Sequence, residues 1–273
     1  MNNIAIAKET IKISSELEYT VDGKKITLPK HDTSAVEVIT PAMGEAILKE
    51  DISAYHVGSP CIIEVTCEDS FEAAKRLNEP MVMNFANAHN AGGGFRLGAS
   101  AQEEALCRCS TLYSSISSKA ASEMYRYNNT HLSKVESDHM LYSPEVWVIR
   151  DSDLQLTAKP FKVSVITIPA PNRRGAAIIA SDSLIESTMT RRIRIMLHTA
   201  ALHGCKELVL GAWGCGAFGN SPQKVSQYFR KVLIDECYEK CFTHIVFAVY
   251  GKTDGKNVTA FRETFKDKLS RLS

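Results

Sequence analysis

The stretch from Met81 to Tyr113 constrains the fold of this chain more than any other part of the sequence. It begins with an apolar run, Met81–Asn87, that turns polar at its end, and three consecutive glycines, Gly92–Gly94, follow. A helical pattern of small and apolar residues then starts at Gln102. A strand followed by a glycine loop and then a helix is typical of the edge where open α/β sheets bind ligands. The stretch therefore predicts an α/β fold with a ligand site at this edge.

Both polar parts of this stretch also allow a purely structural interpretation. Three glycines can form a plain turn, although three in a row after a buried strand favour close approach of a ligand to the backbone. Ser100 and Glu103 have the spacing of a capping box, in which both side chains bind the first amides of a helix. This alternative leaves Glu104 unexplained. Successive helix residues point about 100° apart, so the two glutamates cannot have the same geometry. In a glycosidase, one of them would therefore serve as the acid/base and the other would bind or orient the substrate.

Strands and helices alternate along most of the remaining chain. The N-terminal region predicts a helix over Ile4–Leu17 and a hairpin over Tyr19–Leu28 that turns at Asp22-Gly23. A strand, a helix capped by Asp69-Ser70 and the strand from Met81 come next, an order that favours a parallel pair. Strands are expected at Cys61–Cys67, Met81–Phe85, Tyr142–Arg150, Val163–Ile168, Glu207–Ala212 and Thr243–Val249, and the longer helices at Ile185–His203, Gln223–Cys237 and Asn257–Leu269.

Two polar regions are expected to be solvated rather than functional. The region 114–144 is rich in Ser, Asn and His. It predicts one or two short helices and a long surface connection that exposes His131 and His139. The three arginines within 191–194 could contact nucleic acid, but a solvated helix face is the favoured interpretation.

A second glycine loop, Gly214–Asn220, follows the predicted strand Glu207–Ala212. Ser221-Pro222 then opens a helix. Small residues let a phosphate approach the backbone, and the start of a helix favours negative charge. The loop lacks the lysine of a Walker motif, so ATP hydrolysis is not indicated. The alternative is a tight turn with Phe218 in the core. If both glycine loops bind one ligand, a diphosphate with a ribose at each end would fit between them.

Length and composition exclude several classes of protein. The 273 residues could hold one large α/β domain or two small ones, and 44% hydrophobic with 23% charged residues is ordinary for a soluble globular protein. The net charge of +1 provides no general attraction to nucleic acid or membranes. No apolar run approaches the length of a membrane span, and charge within the first nine residues argues against a secretory signal.

The eight cysteines predict reduced thiols and a cytoplasmic location. They contain no CxxC motif and no regular spacing, so they do not form a disulfide framework. A Cys/His metal site is not favoured either, because no two-pair spacing supports it.

The motif spacing resembles that of a known enzyme family. Gly92–Gly94, seven residues and then Gln102-Glu103-Glu104 are similar to the signature of poly(ADP-ribose) glycohydrolases, and the chain resembles their bacterial, or microbial, type. The segment Asn84–Asn87 looks like the strand end of the macrodomain fold on which this family is built. Ala170-Pro171-Asn172 is similar to an element of the bacterial members. The resemblance implies an α/β fold of three layers, with a mixed, mainly parallel sheet, and an N-terminal helix and hairpin as accessory segment.

The same resemblance implies an activity. One catalytic domain over 1–273, with residues 1–40 as the accessory segment, would hydrolyse the ribose–ribose O-glycosidic bonds of poly(ADP-ribose) and release ADP-ribose. Glu104 matches the catalytic acid/base, and Glu103 would bind hydroxyls of the adjoining ribose. No metal or organic cofactor is implied. The positions that match substrate-binding residues of the family are Asn87, Gly92, Gly93, Gly94, Gln102, Gly214, Cys215, Gly216, Ala217, Phe218, Gly219 and Asn220.

These positions carry specific expectations. Asn87 would hold the terminal ribose, Phe218 would pack on it, and the amides of Gly92–Gly94 and Gly214–Gly219 would hold the diphosphate. Thr66, Glu68 and Asp69 could meet the adenine, by position only. The expected partners are poly(ADP-ribose) or ADP-ribosylated protein and the product ADP-ribose. No contact with a membrane is expected, and the protein is expected to be a monomer.

Two alternatives stay open. Macrodomains can bind ADP-ribose without cleaving it, although the presence of both Glu103 and Glu104 argues against a pure binding module. A hydrolase could also act on mono-ADP-ribosyl or O-acyl-ADP-ribose bonds, a choice that pocket shape decides.

Overall fold

The N-terminal region forms the predicted helix and hairpin. The structure, a computed structural model, describes residues 2–269. Helix α1 (Asn3–Glu16) is followed by the antiparallel strands β1 (Glu18–Val21) and β2 (Lys24–Thr27). Asp22 and Gly23 at the turn have φ of 49° and 73°. Both central residues of a type I′ turn need such angles, as the Asp-Gly signal indicates.

A mixed sheet of seven strands forms the centre of the described chain. The strands are β3 (Glu37–Ile39), β4 (Ile62–Thr66), β5 (Met81–Ala86), β6 (Met140–Arg150), β7 (Leu156–Pro169), β8 (Glu207–Leu210) and β9 (His244–Ala248). Their order across the sheet is β3-β6-β7-β5-β8-β9-β4. The five strands from β7 to β4 are parallel, whereas β6 and β3 add two antiparallel pairings. The prediction of a mixed, mainly parallel sheet is confirmed.

The predicted pairing of β4 with β5 is wrong. The two strands are parallel, but β9 and β8 lie between them. The C-terminal strands are more completely buried, since Val209 and Val246 are at most 1% exposed, whereas Ile62 at the sheet edge is 45% exposed. The more apolar strands take the centre although they come later in the chain, and the short connection from β4 to β5 spans them.

Helices cover both faces of the sheet and complete the three layers of the macrodomain fold. One apolar core contains side chains of the last three helices, and a second core, on the other face, contains side chains of α1 and the four helices from α3 to α6. The helices are α2 (Pro41–Ile47), α3 (Ser70–Lys75), α4 (Gln102–Cys109), α5 (Leu112–Ile116), α6 (Ser122–Thr130), α7 (Asp182–Leu202), α8 (Pro222–Arg230) and α9 (Lys256–Phe265). Helix α8 is shorter than predicted because its last turns widen into a π-helix over Lys231–Asp235.

Two residues expected in solvent are buried. His139 is 2% exposed, and Ser137 Oγ bonds its Nδ1 at 2.8 Å. Arg192 is 1% exposed and donates to Asp138 Oδ1 at 2.8 Å, to Pro169 O at 2.9 Å and to carbonyls of the segment that precedes Asp138. A buried guanidinium with this many acceptors ties the 131–139 segment to α7 and to the end of β7. The prediction of a wholly solvated basic cluster is therefore wrong for Arg192.

Replacement of Arg192 is expected to lower the free energy of unfolding substantially. Arg192→Leu leaves the Asp138 carboxylate and several carbonyls without their buried donor, and removal of one partner of a buried ion pair costs about 3–5 kcal/mol. Arg191 also bonds Asp138, but its side chain is 40% exposed, so Arg191→Leu should cost less than about 1 kcal/mol. Urea unfolding of the two variants measures both values. Equal effects would show that the buried contacts of Arg192 contribute nothing beyond its charge.

Candidate active site

The side chain of Gln102 joins the start of α4 to the end of β5. Its Oε1 accepts a hydrogen bond from Phe85 N–H at 2.9 Å, and its Nε2 donates to Met83 O at 2.8 Å. Strand β8 pairs only with Met81 and Val82 of β5, so this amide takes the place of a neighbouring strand. Gln102 was predicted to bind substrate, but its amide is already used to position the helix.

Glu103 lies in the first turn of α4, and its carboxylate points back to β5. Oε2 accepts from Asn87 N–H at 2.8 Å, and Oε1 accepts from Asn84 Nδ2 at 3.3 Å. The residue at the N-cap is Ala101, which makes no capping hydrogen bond, so the capping-box alternative with Ser100 is wrong. The donors at the end of the strand hold the carboxylate instead of the first amides of its own helix.

Burial changes the protonation of Glu103. The residue is 3% exposed, and loss of solvation is the main cause that raises its pKa to about 8. The N–H of Asn87 and the amide of Asn84 oppose this shift, whereas the neighbouring carboxylate of Glu104 adds to it. A substantial share of Glu103 therefore carries a proton at neutral pH.

The raised pKa predicts a pH dependence of stability. Below pH 4.5 the carboxyl group is protonated in both states; between 4.5 and about 8 the folded state keeps a proton that the unfolded state has lost. The free energy of unfolding therefore falls as pH rises through this window, by up to about 1.4 kcal/mol per unit, and levels off above it. Glu103→Gln should remove this contribution. Urea unfolding at pH 5.5 and 8.5 should show a drop for the wild type that exceeds that of Glu103→Gln; equal drops would contradict the raised pKa.

Glu104 faces the first glycine loop. Its Oε1 accepts from Gly94 N–H at 2.9 Å, and its Oε2 accepts from no donor within residues 2–269. Gly93 has a φ of +54°, and a Cβ on it would lie 2.6 Å from Glu104 Oε1 and 3.4 Å from Glu103 Oε2. Only a residue without Cβ lets the backbone come this close to both carboxylates. The loop therefore brings bare backbone against the two glutamates.

Two amides of this loop are used within the protein. Gly94 N–H donates to Glu104 Oε1 at 2.9 Å, and Gly93 N–H donates to Asn90 O at 3.0 Å. Gly92 N–H opposes the rise in the pKa of Glu103. The N–H groups of Gly93 and Gly94 are therefore not free to hold a diphosphate, as had been expected of them. A buried carboxylate needs hydrogen-bond donors, and Gly94 N–H is the one that Glu104 uses.

Asn87 and Asn84 support the same corner of the site. Asn87 Oδ1 accepts from the N–H groups of His89 and Asn90, so its Nδ2 remains for a ligand. Asn84 is fully buried, and its Nδ2 also donates to Thr167 Oγ1 at 3.1 Å, which links Glu103 to β7. Sequence reasoning gave Asn84 no role. The available signal was a polar residue within an otherwise apolar strand.

A cleft of about 620 Å³ opens between the start of α4 and the second glycine loop. Asp69 also lies in its wall, but Asp69 Oδ1 caps α3 by accepting from Phe71 N–H at 2.8 Å. Glu103 and Glu104 follow Gln102 on α4 and are not among the residues that line the cleft. Among the residues that line it are Phe85, Gln102, Gly214, Gly216, Ala217 and Phe218.

The second glycine loop presents free amides. Among residues 2–269, the N–H groups of Gly216, Ala217 and Phe218 have no acceptor. Gly214 has a φ of +71°, and a Cβ on it would lie 2.7 Å from the side chain of Ala170, so the turn needs glycine. Backbone amides without an acceptor can bind an anion.

Three predicted substrate contacts lie elsewhere. Cys215, Gly219 and Asn220 line a separate pocket on the outer side of the second loop. Asn220 Nδ2 donates to Pro171 O at 2.9 Å and to Gly214 O at 3.1 Å, so this side chain closes the loop. The residues at the middle of the loop line the cleft and those at its end line the second pocket, which spacing alone does not reveal.

Two further features bear on the class of protein. No three His, Cys, Asp or Glu side chains of the described chain are grouped as metal ligands. Within residues 2–269, none of the helices combines the length and apolarity that a membrane span requires.

Comparisons with known proteins agree with this geometry. Residues 7–151 match the family model described as microbial-type PARG, catalytic domain. The structure is similar to the crystal structure of poly(ADP-ribose) glycohydrolase from Thermomonospora curvata, with a TM-score of 0.88, 35% identity and coverage of 96% of this chain and 99% of that one. The same enzyme bound to the inhibitor ADP-HPD matches equally well. The enzyme from Deinococcus radiodurans, in complex with ADP-ribose, matches with a TM-score of 0.80, 35% identity and coverage of 89% and 99%.

A search of curated protein sequences found no significant match. The family model spans more than half of the chain, and the structural matches extend the likeness over nearly all of it. The chain therefore belongs to the microbial-type poly(ADP-ribose) glycohydrolase family.

Proposed function

We propose that the chain hydrolyses the ribose–ribose O-glycosidic bonds of poly(ADP-ribose), with Glu104 as general acid and base. The observation that carries this proposal is the setting of Glu104. One carboxylate oxygen is fixed by Gly94 N–H, and the other has no donor within residues 2–269. Gln102, two residues before Glu104 on the same helix, lines a cleft of about 620 Å³. Clefts of roughly 300–1,000 Å³ hold ligands of this size.

The reaction transfers one proton from Glu104 to the leaving group and then one proton from water back to Glu104. The Glu104 carboxyl proton passes to the leaving ribose oxygen as the bond from that oxygen to the anomeric carbon breaks. A water molecule then attacks the oxocarbenium-like carbon and gives its proton to the Glu104 carboxylate. The products are free ADP-ribose and a polymer shortened by one unit, and Glu104 returns to its starting state.

Glu103 has a different task in this proposal. Its oxygens are held by Asn87 N–H and Asn84 Nδ2, so its position is set by strand β5. A carboxyl group with a pKa of about 8 can both donate to and accept from ribose hydroxyls at neutral pH. We therefore assign Glu103 to binding and orienting the ribose, with Asn87 Nδ2 as a second contact.

The diphosphate would bind the second loop. The amides of Gly216, Ala217 and Phe218 have no acceptor within residues 2–269, and they lie in the cleft wall. Several N–H groups that converge on one point bind phosphate oxygens without any lysine. Phe218 would then pack against the terminal ribose, whose glycosidic bond is the one that is cleaved.

Polymer is the substrate that we expect over mono-ADP-ribosyl groups. Purified wild-type protein should release ADP-ribose from poly(ADP-ribose) and leave mono-ADP-ribosylated protein and O-acetyl-ADP-ribose intact, with free ADP-ribose measured by chromatography. Release from the mono-ADP-ribosyl substrate alone would assign the site to the other bond. Binding of polymer without release from any substrate would make the protein a reader.

The organisation and location of the protein are also proposals. One catalytic domain over 1–273, with 1–40 as accessory segment, is supported by the packing of α1 on α4, where Thr10 Oγ1 donates to Arg108 O at 2.8 Å. Met1 and residues 270–273 of this range lie outside the described residues. All eight cysteines are free thiols, which supports a cytoplasmic location. We expect a monomer.

A further inference from the structure

The outer side of the second glycine loop carries a second, strongly basic pocket. Its volume is about 400 Å³. Four cationic side chains line it, and Asp182 is the one carboxylate in its wall. The cationic side chains are those of Arg173, Arg174, Lys224 and Lys256. The whole chain has a net charge of only +1, so this concentration of positive charge is local.

Two of these four cations have no salt-bridge partner among residues 2–269. Asp182 binds Arg173 at 2.9 Å and Lys224 at 2.7 Å. Neither Arg174 nor Lys256 makes a salt bridge with any residue of the described chain. An anion of two or more charges is the ligand that would balance the pocket.

The pocket is built onto the loop that forms the wall of the substrate cleft. Arg173 N–H donates to Phe218 O at 2.9 Å, and the side chain of Arg174 lies against Gly219, where a Cβ would be 3.0 Å from Arg174 Nε. Asn257 lines both the cleft and this pocket. One loop therefore separates the two sites, with free amides on its inner side and guanidinium groups on its outer side.

We propose that this outer pocket binds the diphosphate of the ADP-ribose unit next to the one being cleaved. The proposal rests on the proposed function, since the ligand is a second unit of the same polymer. Consecutive units of poly(ADP-ribose) carry diphosphates at regular intervals, so a chain held in the cleft by one unit places another diphosphate nearby. Arg174 and Lys256 supply the unpaired charges, and guanidinium groups match phosphate oxygens in pairs.

The test compares polymer with monomer in a protein that binds without cleaving. Arg174→Gln and Lys256→Gln are introduced together into the Glu104→Gln variant, and affinities for poly(ADP-ribose) and for ADP-ribose are measured over a range of salt concentrations. Polymer affinity should fall by about fivefold to tenfold at low salt, and the slope of log affinity against log salt should become shallower by about 1.4, or 0.7 for each lost phosphate contact. ADP-ribose affinity should change by less than twofold.

A matched control removes two exposed lysines of the hairpin region instead. Lys24→Gln with Lys30→Gln lowers the net charge equally and should leave both affinities unchanged. An unchanged polymer affinity in the Arg174/Lys256 variant, an equal loss for polymer and monomer, or an equal loss in the control would each overturn the proposal. Failure of the wild type to release ADP-ribose would instead overturn the proposed function, because the binding comparison does not depend on cleavage.

Discussion

Glu104→Gln is expected to lower the rate of ADP-ribose release from poly(ADP-ribose) by about 10²–10⁴-fold, the usual contribution of general acid–base catalysis. Glutamine has nearly the same shape, and its Oε1 can still accept the hydrogen bond from Gly94 N–H. It has no proton to give to the leaving oxygen and cannot take one from water. The rate constant is measured in single-turnover experiments with excess enzyme, so that slow product release does not hide the chemical step.

Binding distinguishes this role from a structural one. The Glu104→Gln variant should bind ADP-ribose within a few-fold of the wild type, because Gly94 N–H keeps its acceptor. Glu103→Gln should show the opposite balance, with weaker binding of ADP-ribose, since Asn87 N–H and Asn84 Nδ2 then face an amide in place of a carboxyl group. A Glu104→Gln variant that cleaves polymer at near wild-type rates would refute the assignment.

Gly93→Ala is expected to reduce turnover by about 10²-fold. The new Cβ would lie 2.6 Å from Glu104 Oε1, well inside van der Waals contact, so the carboxylate must move. Displacement of a catalytic group by about 1 Å can cost this factor. The backbone strain is separate: alanine at a φ of +54° costs about 1–2 kcal/mol of stability. Turnover of polymer and urea unfolding of the same variant separate the two effects.

Gly204 provides the matched control for Gly93. It has a φ of +71°, but a Cβ there meets no atom within 4 Å. Gly204→Ala should therefore lose a similar amount of stability and keep its activity. If both variants lose activity equally, general destabilisation rather than the position of Glu104 explains the effect.

The sequence predicts the local features of this fold better than its long-range order. Asp22-Gly23 sets its own turn, because the φ angles it needs are available at low cost only to such residues. The place of β4 depends on which strands bury their side chains most completely, and no local pattern contains that comparison. Arg192 illustrates the same limit, since its burial depends on carbonyl groups from the distant segment around Val135.

At the candidate site, too, the sequence predicts local features better than long-range contacts. The spacing of Gly92–Gly94 and Gln102-Glu103-Glu104 is sufficient to bring these residues together, and the structure places them in contact. The spacing does not show which group each amide serves. In the first loop Gly94 N–H serves Glu104 and Gly93 N–H serves Asn90 O, because buried acceptors take nearby donors. In the second loop three consecutive amides, from Gly216 to Phe218, have no acceptor within residues 2–269.

The bridge made by Gln102 has a consequence for how such a site can change over evolutionary time. Because its amide bonds Met83 and Phe85 as a strand would, the sheet itself sets the position of the helix that carries Glu104. The mostly exposed segment 96–101 only has to close the gap between the glycine loop and this anchor. Residues can therefore be inserted or deleted there while the Glu104 carboxylate stays in place, so the surface beside the cleft can diverge in this segment.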